Sequence, residues 1–164
     1  MYCRHCGQKL SLRFCENEGL IPYCSSCADY IFPQFGVAVS MVVTNRAKDK
    51  ILLAKHVDDE DFILLAGYVK KGESAEKAVP REIKEELGLN VVKAKYMSSR
   101  YYDKNDVLML NFIVIVEDKE IKMNTNEIAE ARWCSSDEAL ALIRKGTTAE
   151  YFLQNAVREL KKKI

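Results

Sequence analysis

Three glutamates crowd one short stretch of the chain, REIKEELG, which starts at Arg81. Glu82, Glu85 and Glu86 are spaced so that, at 100° per residue, they share one arc of a helix surface. Charges this close repel one another and weaken an isolated helix by about a few tenths of a kcal/mol per pair. Mg²⁺ instead takes carboxylate oxygens as ligands and keeps positions open for water and phosphate groups. The pattern favours a phosphate-handling metal site, although an isolated acidic cluster is more often a solvated helix face.

Four of the six cysteines form two pairs near the N-terminus. Cys3-x2-Cys6 and Cys24-x2-Cys27 are separated by 17 residues, a spacing typical of a zinc site with four thiolate ligands. Gly7 follows the first pair and can take up the positive φ that such turns often need. Disulfides or buried free thiols are the alternatives, and the N-terminus shows no secretion signal to favour disulfides. We expect a structural Zn²⁺, because four thiolates leave no open position for substrate.

The elements that must position these residues follow from the hydrophobic pattern. From Gly36 onward, short apolar runs alternate with polar breaks, and GVAVSMVVT, KILLAKH and DFILLAG are typical of buried strands. Two more strands are predicted around VVKAKYMSSRYY and VLMLNFIVIVE, with helices at SDEALALIRKG and TAEYFLQNAVRELKKK. Strands with helices packed on them predict a layered domain of the α/β or α+β class.

The acidic stretch is predicted to be a helix despite a proline inside it. Apolar residues recur at steps of four and form a stripe that anchors the helix to the sheet: Val79, Ile83 and Leu87. Pro80 lacks the N–H that would bond the carbonyl of Glu76. If Ser74 caps the helix, we expect a kink or a loosened first turn at residues 75–79. Alternatively the helix restarts at Pro80, where a first-turn proline costs nothing.

Length and composition exclude several classes of protein. The 164 residues suffice for one well-packed domain plus a small appendage. The net charge of +1 gives no overall attraction to nucleic acid or to a membrane surface. The sequence has no apolar stretch near the roughly 18 residues of a membrane span, so we expect a cytoplasmic protein without a membrane partner.

One motif carries a resemblance to a known family. From Gly67 the sequence reads GYVKKGESAEKAVPREIKEELGL, which matches the Nudix box G-x5-E-x7-R-E-U-x-E-E-x-G-U, with U aliphatic, at every fixed position. The chain thus resembles the Nudix hydrolases. The resemblance implies a Nudix-type α/β/α sandwich with a mixed sheet, and a hydrolase that uses Mg²⁺ or Mn²⁺. The implied substrate is a small molecule, a nucleoside diphosphate linked to another group.

The resemblance also implies roles for individual residues. Glu82 and Glu86 are the principal metal ligands, and Glu85 is either a further ligand or the catalytic base. Arg81 and Glu73 are implied to orient these acids. The remaining metal ligands are expected to be the backbone carbonyl of Ala66 and a downstream carboxylate, for which Glu127 is favoured over Glu130.

A four-cysteine ribbon ahead of a Nudix domain is similar to the NADH pyrophosphatase-like group. We therefore expect a zinc ribbon over residues 1–33 and a Nudix hydrolase domain over residues 34–164. Phe32-Pro33 match the passage from ribbon to domain in that group, but SSRYYDKND stands where the group carries S-Q-P-W-P-F-P-x-S. Candidate substrates are a dinucleotide such as NADH, an ADP-sugar such as ADP-ribose, or a capped RNA end. Phe32 and Tyr101 are the candidate substrate contacts, and alternation along a strand lets at most one of Tyr101 and Tyr102 line the site.

Two other functions remain open at this stage. A catalytically idle Nudix domain could serve as a nucleotide-sensing or regulatory module, although intact acids speak against it. A nucleic-acid-binding ribbon with the Nudix domain as passenger is disfavoured by the near-zero net charge. The resemblance suggests a homodimer, although no isolated apolar helix face requires one.

Overall fold

The four paired cysteines lie in the first of two compact units, Met1–Phe35 and Gly36–Ile164. The structure is a computed structural model that describes residues 1–162, so Lys163 and Ile164 of the predicted second domain lie outside the described residues. Three antiparallel strands build the first unit: β1 (Ser11–Cys15), β2 (Gly19–Cys24) and β3 (Asp29–Tyr30). Its apolar core is small, with Cys3, Cys24 and Ile31 buried together. Such a core needs an additional source of folding energy.

The second unit is built on a six-stranded mixed sheet. Its strands are β4 (Gly36–Thr44), β5 (Ile51–His56), β6 (Leu65–Tyr68), β7 (Val91–Tyr102), β8 (Val107–Val116) and β9 (Ile128–Cys134). The order is β7-β8-β4-β5-β9, and β6 pairs with the first half of β4. Strands β4 and β8 run parallel, whereas the other pairs are antiparallel. The described part of the unit also contains three α-helices: α1 (Ala75–Leu87), α2 (Ser136–Leu142) and α3 (Thr148–Lys161).

The helices cover both faces of this sheet. Side chains alternate between faces along a strand, so Val39 and Met41 of β4 pack toward α1, whereas Val42 packs toward α2 and α3. The stripe predicted on α1 is fully buried in the first layer, and Phe152 of α3 is fully buried in the second. The predicted α/β/α sandwich with a mixed sheet is confirmed. Among the described residues, no helix is long and apolar enough to cross a membrane.

Helix α1 passes through Pro80 without an interruption in its helical assignment. It begins at Ala75 with Ser74 in the N-cap position, so the prediction of a helix that restarts at Pro80 is wrong. The Ser74 side chain makes no capping hydrogen bond. Pro80 is exposed and has no N–H for the Glu76 carbonyl, so burial of Val79, Ile83 and Leu87 holds the helix together across the missing bond.

Replacing this proline should stabilise the second unit. We expect Pro80→Ala to raise the free energy of unfolding by about 1–3 kcal/mol, because alanine restores the helical hydrogen bond and relieves the clash. Urea unfolding followed by the fluorescence of Trp133, the one tryptophan, measures the change. Lys77→Ala, exposed on the same helix, is the control and should stay within about 0.5 kcal/mol of the parent. An unchanged or lower free energy of unfolding for Pro80→Ala would contradict the interpretation that Pro80 destabilises the helix.

Candidate metal and substrate site

One guanidinium group connects the predicted acidic residues of α1. Arg81 Nη1 donates to the carboxylates of Glu82 at 2.6 Å and Glu85 at 2.9 Å. Arg81 and Glu85 are one helical turn apart, which places their side chains on the same face. The positive charge offsets part of the repulsion that three neighbouring carboxylates would otherwise impose on the helix.

The same arginine ties the loop before α1 to the helix. Its Nε and Nη2 donate to the two oxygens of Glu73, both at 2.8 Å, and Nη2 also donates to the carbonyl of Tyr68 at 2.9 Å. A two-pronged pair of this kind fixes orientation as well as charge. Arg81, followed by the backbone N–H of Lys70, holds the pKa of Glu73 down at about 2. Glu73 therefore stays ionised and serves to hold Arg81 in place.

Glu86 lies buried beneath these residues. Its side chain is 3% exposed, and within residues 1–162 its Oε2 atom has no hydrogen-bond partner. Burial raises its pKa to about 8, with further increases from the charges of Glu82, Glu127 and Glu85. A buried carboxylate oxygen without a partner, close enough to other carboxylates to feel their charge, is a costly arrangement that a divalent cation would relieve. The donor set therefore fits Mg²⁺.

The segment before β9 delivers Glu127 to this cluster. The N–H of Asn124 donates to the Glu86 carbonyl at 2.9 Å, and the N–H of Glu127 donates to the Asn124 carbonyl at 3.0 Å. These bonds fasten the segment to the C-terminal end of α1. Glu130 instead lies on β9, where its carboxylate pairs with Lys55 and Arg132. The structure thus brings Glu127, rather than Glu130, to Glu86.

The glycine that opens the motif lies directly against the acids. A Cβ atom on Gly67 would come within 2.0 Å of the Glu82 carboxylate carbon, so a side chain at this position would displace that carboxylate. The preceding residue, Ala66, is half-buried on β6 and lines a cleft on the other face of the sheet. Strand β6 therefore lies between the acid cluster and the cleft. Adjacent residues of the strand face opposite sides, so Gly67 faces the acids and Ala66 faces the cleft.

The cleft has a volume of about 660 Å³. Apolar side chains from the sheet, from the segment before β6 and from α3 form much of its lining: Ala38, Leu64, Val107, Met109 and Phe152. Three tyrosines border it, Tyr68, Tyr101 and Tyr102. Both Tyr101 and Tyr102 border the cleft, and that at most one of them lines the substrate site stays a prediction. Strand β7 stays in regular register with β8 from Ser98 through Tyr102, and the chain turns at residues 103–105. The hydroxyl of Tyr101 donates to Asp106.

Phe32 was predicted as a substrate contact, whereas Arg144 was not. Phe32 lies in the first unit, where its side chain is 48% exposed, and its role as a substrate contact stays a prediction. Arg144 also lines the cleft, and its guanidinium pairs with Asp59 and Asp61. Sequence reasoning missed it, since those partners are 85 and 83 residues away and no local pattern connects them.

The four predicted zinc ligands converge in the first unit. Their Sγ atoms all lie within 4.8 Å of one another, with Cys3 to Cys27 at 3.9 Å and Cys6 to Cys24 at 3.5 Å. Zinc–sulfur bonds of about 2.3 Å in a tetrahedron place sulfurs about 3.8 Å apart. The backbone N–H of His5 leads in lowering the pKa of Cys3 to about 7, whereas Cys6 and Cys24 raise that of Cys27 to about 12. The cluster is compatible with zinc.

This architecture is that of the solved Nudix structures. A Nudix hydrolase from Nitrosomonas europaea superposes with a TM-score of 0.69 at 18% identity, covering 98% of this chain and 90% of that one. The Nudix domain of Shewanella oneidensis NrtR, in complex with ADP ribose, superposes with a TM-score of 0.66 at 13% identity, covering 84% of this chain and 94% of that one.

The sequence comparisons identify the family. The model of the NUDIX domain matches residues 34–156, and the chain belongs to the Nudix family, as the motif predicted. The NAD-capped RNA hydrolase NudC of Salmonella typhi is 34% identical over 158 residues. That alignment covers 95% of this chain, and the chain spans 60% of the length of the curated relative. The predicted likeness to the zinc-ribbon-bearing group is confirmed.

The buried carboxylate should make the magnesium-free protein sensitive to pH. The pKa of Glu86 is raised from 4.5 to about 8 on folding, so its charge destabilises the fold progressively as pH rises from 4.5 to 8. In magnesium-free buffer at pH 9, Glu86→Gln should therefore raise the free energy of unfolding by an amount on the order of a few kcal/mol, and Tm should rise with it. At pH 5 the substitution should change Tm little.

Thermal unfolding at both pH values, with and without Mg²⁺, measures this effect. The parent should gain Tm on addition of Mg²⁺, and Glu86→Gln should gain less. Glu130→Gln removes a half-buried carboxylate that is already paired with Lys55 and Arg132, and it serves as the control. A lower Tm for Glu86→Gln at pH 9 in magnesium-free buffer would contradict the assignment.

Proposed function

We propose that this protein hydrolyses the diphosphate linkage of a nucleoside diphosphate derivative in the presence of Mg²⁺. The observation that carries the proposal is the buried Glu86 carboxylate, which lies near the charges of Glu82, Glu127 and Glu85, together with a cleft of about 660 Å³ on the other face of strand β6. Membership of the Nudix family supports it. The volume and the aromatic border of the cleft suit a nucleoside.

The residues of the site have separate proposed roles in binding the cation, accepting a proton and positioning the acids. The oxygens of Glu82, Glu86, Glu127 and the Ala66 carbonyl would hold the cation. When bound, Mg²⁺ neutralises diphosphate charge and makes water a better nucleophile. Glu85 is 49% exposed, so its carboxylate is accessible to solvent and can accept a proton from the attacking water, or add a further ligand. Arg81, held by Glu73, fixes the positions of Glu82 and Glu85.

The substrate class can be narrowed from the relatives. The Salmonella typhi relative is named an NAD-capped RNA hydrolase, and the NrtR domain was solved with ADP ribose. For this chain we propose a dinucleotide such as NADH, an ADP-sugar such as ADP-ribose, or a capped RNA end. Tyr101 and Tyr102 border the cleft in the region where the related group carries its own motif, so they are the proposed contacts to the base.

The first unit is proposed to be a zinc ribbon with a structural role. Four thiolates at tetrahedral spacing leave no position for substrate, and the small core of the unit benefits from the binding energy of the metal. The domains proposed are therefore residues 1–33 for the ribbon and 34–164 for the hydrolase. A homodimer and a cytoplasmic location stay predictions.

A substrate panel tests the proposed reaction. Purified protein with Mg²⁺ should release nucleoside monophosphates from at least one of NADH, ADP-ribose and NAD-capped RNA, as measured by liquid chromatography. Glu86→Gln should lower kcat/KM by roughly 10²–10³-fold, since it removes an anionic ligand of the cation that would neutralise the diphosphate. Glu130→Gln should leave it unchanged. Binding without turnover by the native protein would favour the nucleotide-sensing alternative and contradict the proposal.

Metal analysis tests the ribbon. We expect about one zinc per chain in protein purified without chelators. Cys24→Ser should reduce the zinc content, because a fully buried ligand is lost, whereas Cys15→Ser, outside the cluster, should not. Mass spectrometry of the eluted metal gives the ratio. Substantially less than one zinc per chain in the parent protein would rule out a structural zinc.

A further inference from the structure

The guanidinium of Arg81 has no donor left for a substrate. A guanidinium group carries five N–H bonds. Arg81 makes five hydrogen bonds, two to the carboxylate of Glu73 and one each to Glu82, Glu85 and the carbonyl of Tyr68. All five donors are thus used within the protein. Arg81 positions the acids, and it could bind a phosphate group only by giving up one of these bonds.

A diphosphate at this site brings further negative charge to a group of carboxylates. Glu82, Glu85 and Glu86 all belong to α1, and the charge of Glu127 acts on Glu86 from the segment before β9. A bound Mg²⁺ would offset part of this charge, but its ligands are these same carboxylates. Like charges at short range oppose binding. Binding of a diphosphate therefore calls for a further cation whose N–H groups can reach the phosphate oxygens.

Lys70 is the second cation at this site. Its Nζ lies 3.5 Å from Oε1 of Glu85, and this is the one hydrogen bond that the ammonium group makes to a described residue. An ammonium group has three donors, so most of its capacity is unused. Among residues 1–162, only Arg81 and Lys70 form ion pairs with the carboxylates of the site, which are Glu73, Glu82, Glu85, Glu86 and Glu127.

The backbone of Lys70 is fixed, whereas its side chain is held by one long bond. The N–H of Lys70 donates to the Glu73 carboxylate at 3.0 Å, and the N–H of Glu73 donates to the Lys70 carbonyl at 3.0 Å. The side chain is 62% exposed, and an exposed ion pair contributes little to stability. The ammonium group can therefore leave Glu85 at little cost while the loop keeps its place.

We propose that Lys70 is a further substrate-binding residue, whose ammonium group binds a non-bridging oxygen of the diphosphate. Lysine acts as a point charge toward phosphate groups, and its four-carbon stem lets the charge move. When Lys70 turns to the substrate, Oε1 of Glu85 loses its partner and becomes available to the attacking water or to the cation. Binding of the substrate thus frees the carboxylate that the proposed reaction uses. This inference rests on the proposed function, because it takes the diphosphate to be held beside these acids.

Neutral substitution of two adjacent lysines tests the inference. The probe is α,β-methylene-ADP, in which a CH₂ group replaces the bridging oxygen, so that water does not cleave the diphosphate. In the presence of Mg²⁺, Lys70→Gln should raise the Kd of this probe by about 10- to 100-fold, the worth of a hydrogen bond between charged groups. Lys70→Arg keeps the positive charge and should recover most of the binding.

Lys71→Gln is the matched control. It removes the same charge one position along the loop, from an exposed side chain that forms no ion pair with a described residue. Because solvent screens a charge in this position, the Kd of the probe should change by less than about twofold. The Tm of each variant, measured without ligand, should stay close to that of the parent, since the bonds that hold the loop come from the backbone of Lys70.

Magnesium binding separates this role from a structural one. If Lys70 served only to support the acids, Lys70→Gln would weaken Mg²⁺ binding by the substrate-free protein. The inference predicts an unchanged or higher affinity, because the substitution removes an ammonium group that competes with Mg²⁺ for Glu85. Calorimetric titration with MgCl₂ measures the difference, and weaker Mg²⁺ binding by Lys70→Gln would count against the inference.

Binding of the probe keeps the inference distinct from the proposed reaction. If no substrate is turned over, but Lys70→Gln weakens binding of the probe and Lys71→Gln does not, the proposed reaction fails and the inference holds. Equal Kd values for the two glutamine variants, or no binding of the probe by the native protein, would overturn the inference even where hydrolysis is observed. A Lys70→Arg variant as weak as Lys70→Gln would do the same.

Discussion

The candidate site depends on the guanidinium of Arg81. It connects the helix carboxylates of Glu82 and Glu85 to Glu73 in the preceding loop, and to the carbonyl of Tyr68 at the end of β6. Without the positive charge of Arg81, the loop would lose its attachment to the helix, and the neighbouring carboxylates would repel one another at short range. One side chain thus fixes the loop, the strand end and the acids in a single arrangement.

Around that arrangement the protein tolerates several local costs. Glu86 is a buried carboxylate with a raised pKa, Gly67 leaves room for Glu82 at the expense of a side chain, and Pro80 removes a helical hydrogen bond. The fully buried stripe on α1 provides the packing that offsets them. Locally unfavourable features are often concentrated at functional sites. Here the buried carboxylate of Glu86 and the missing side chain at Gly67 each have a role in the chemistry proposed for the site.

The two faces of the sheet support different parts of the candidate site. Toward α1, the strands support the acid cluster, whereas toward α3 they form the floor of the cleft. Strand β6 belongs to both, because alternation turns Gly67 toward Glu82 while Ala66 lines the cleft. A molecule bound across this strand would have its charged group near the carboxylates and its ring in the cleft.

The sequence by itself determined the features that are local along the chain. Spacing predicted the acid face and buried stripe of α1, the family and the pairing of the cysteines, since each depends on residues within a few turns of one another. Tertiary structure decided the rest. Glu127 rather than Glu130 approaches Glu86 because Asn124 bonds to the end of α1. The cleft and its Arg144 arise from strands and loops that are distant in sequence, and the hydrophobic periodicity of a strand does not indicate which strands become its neighbours.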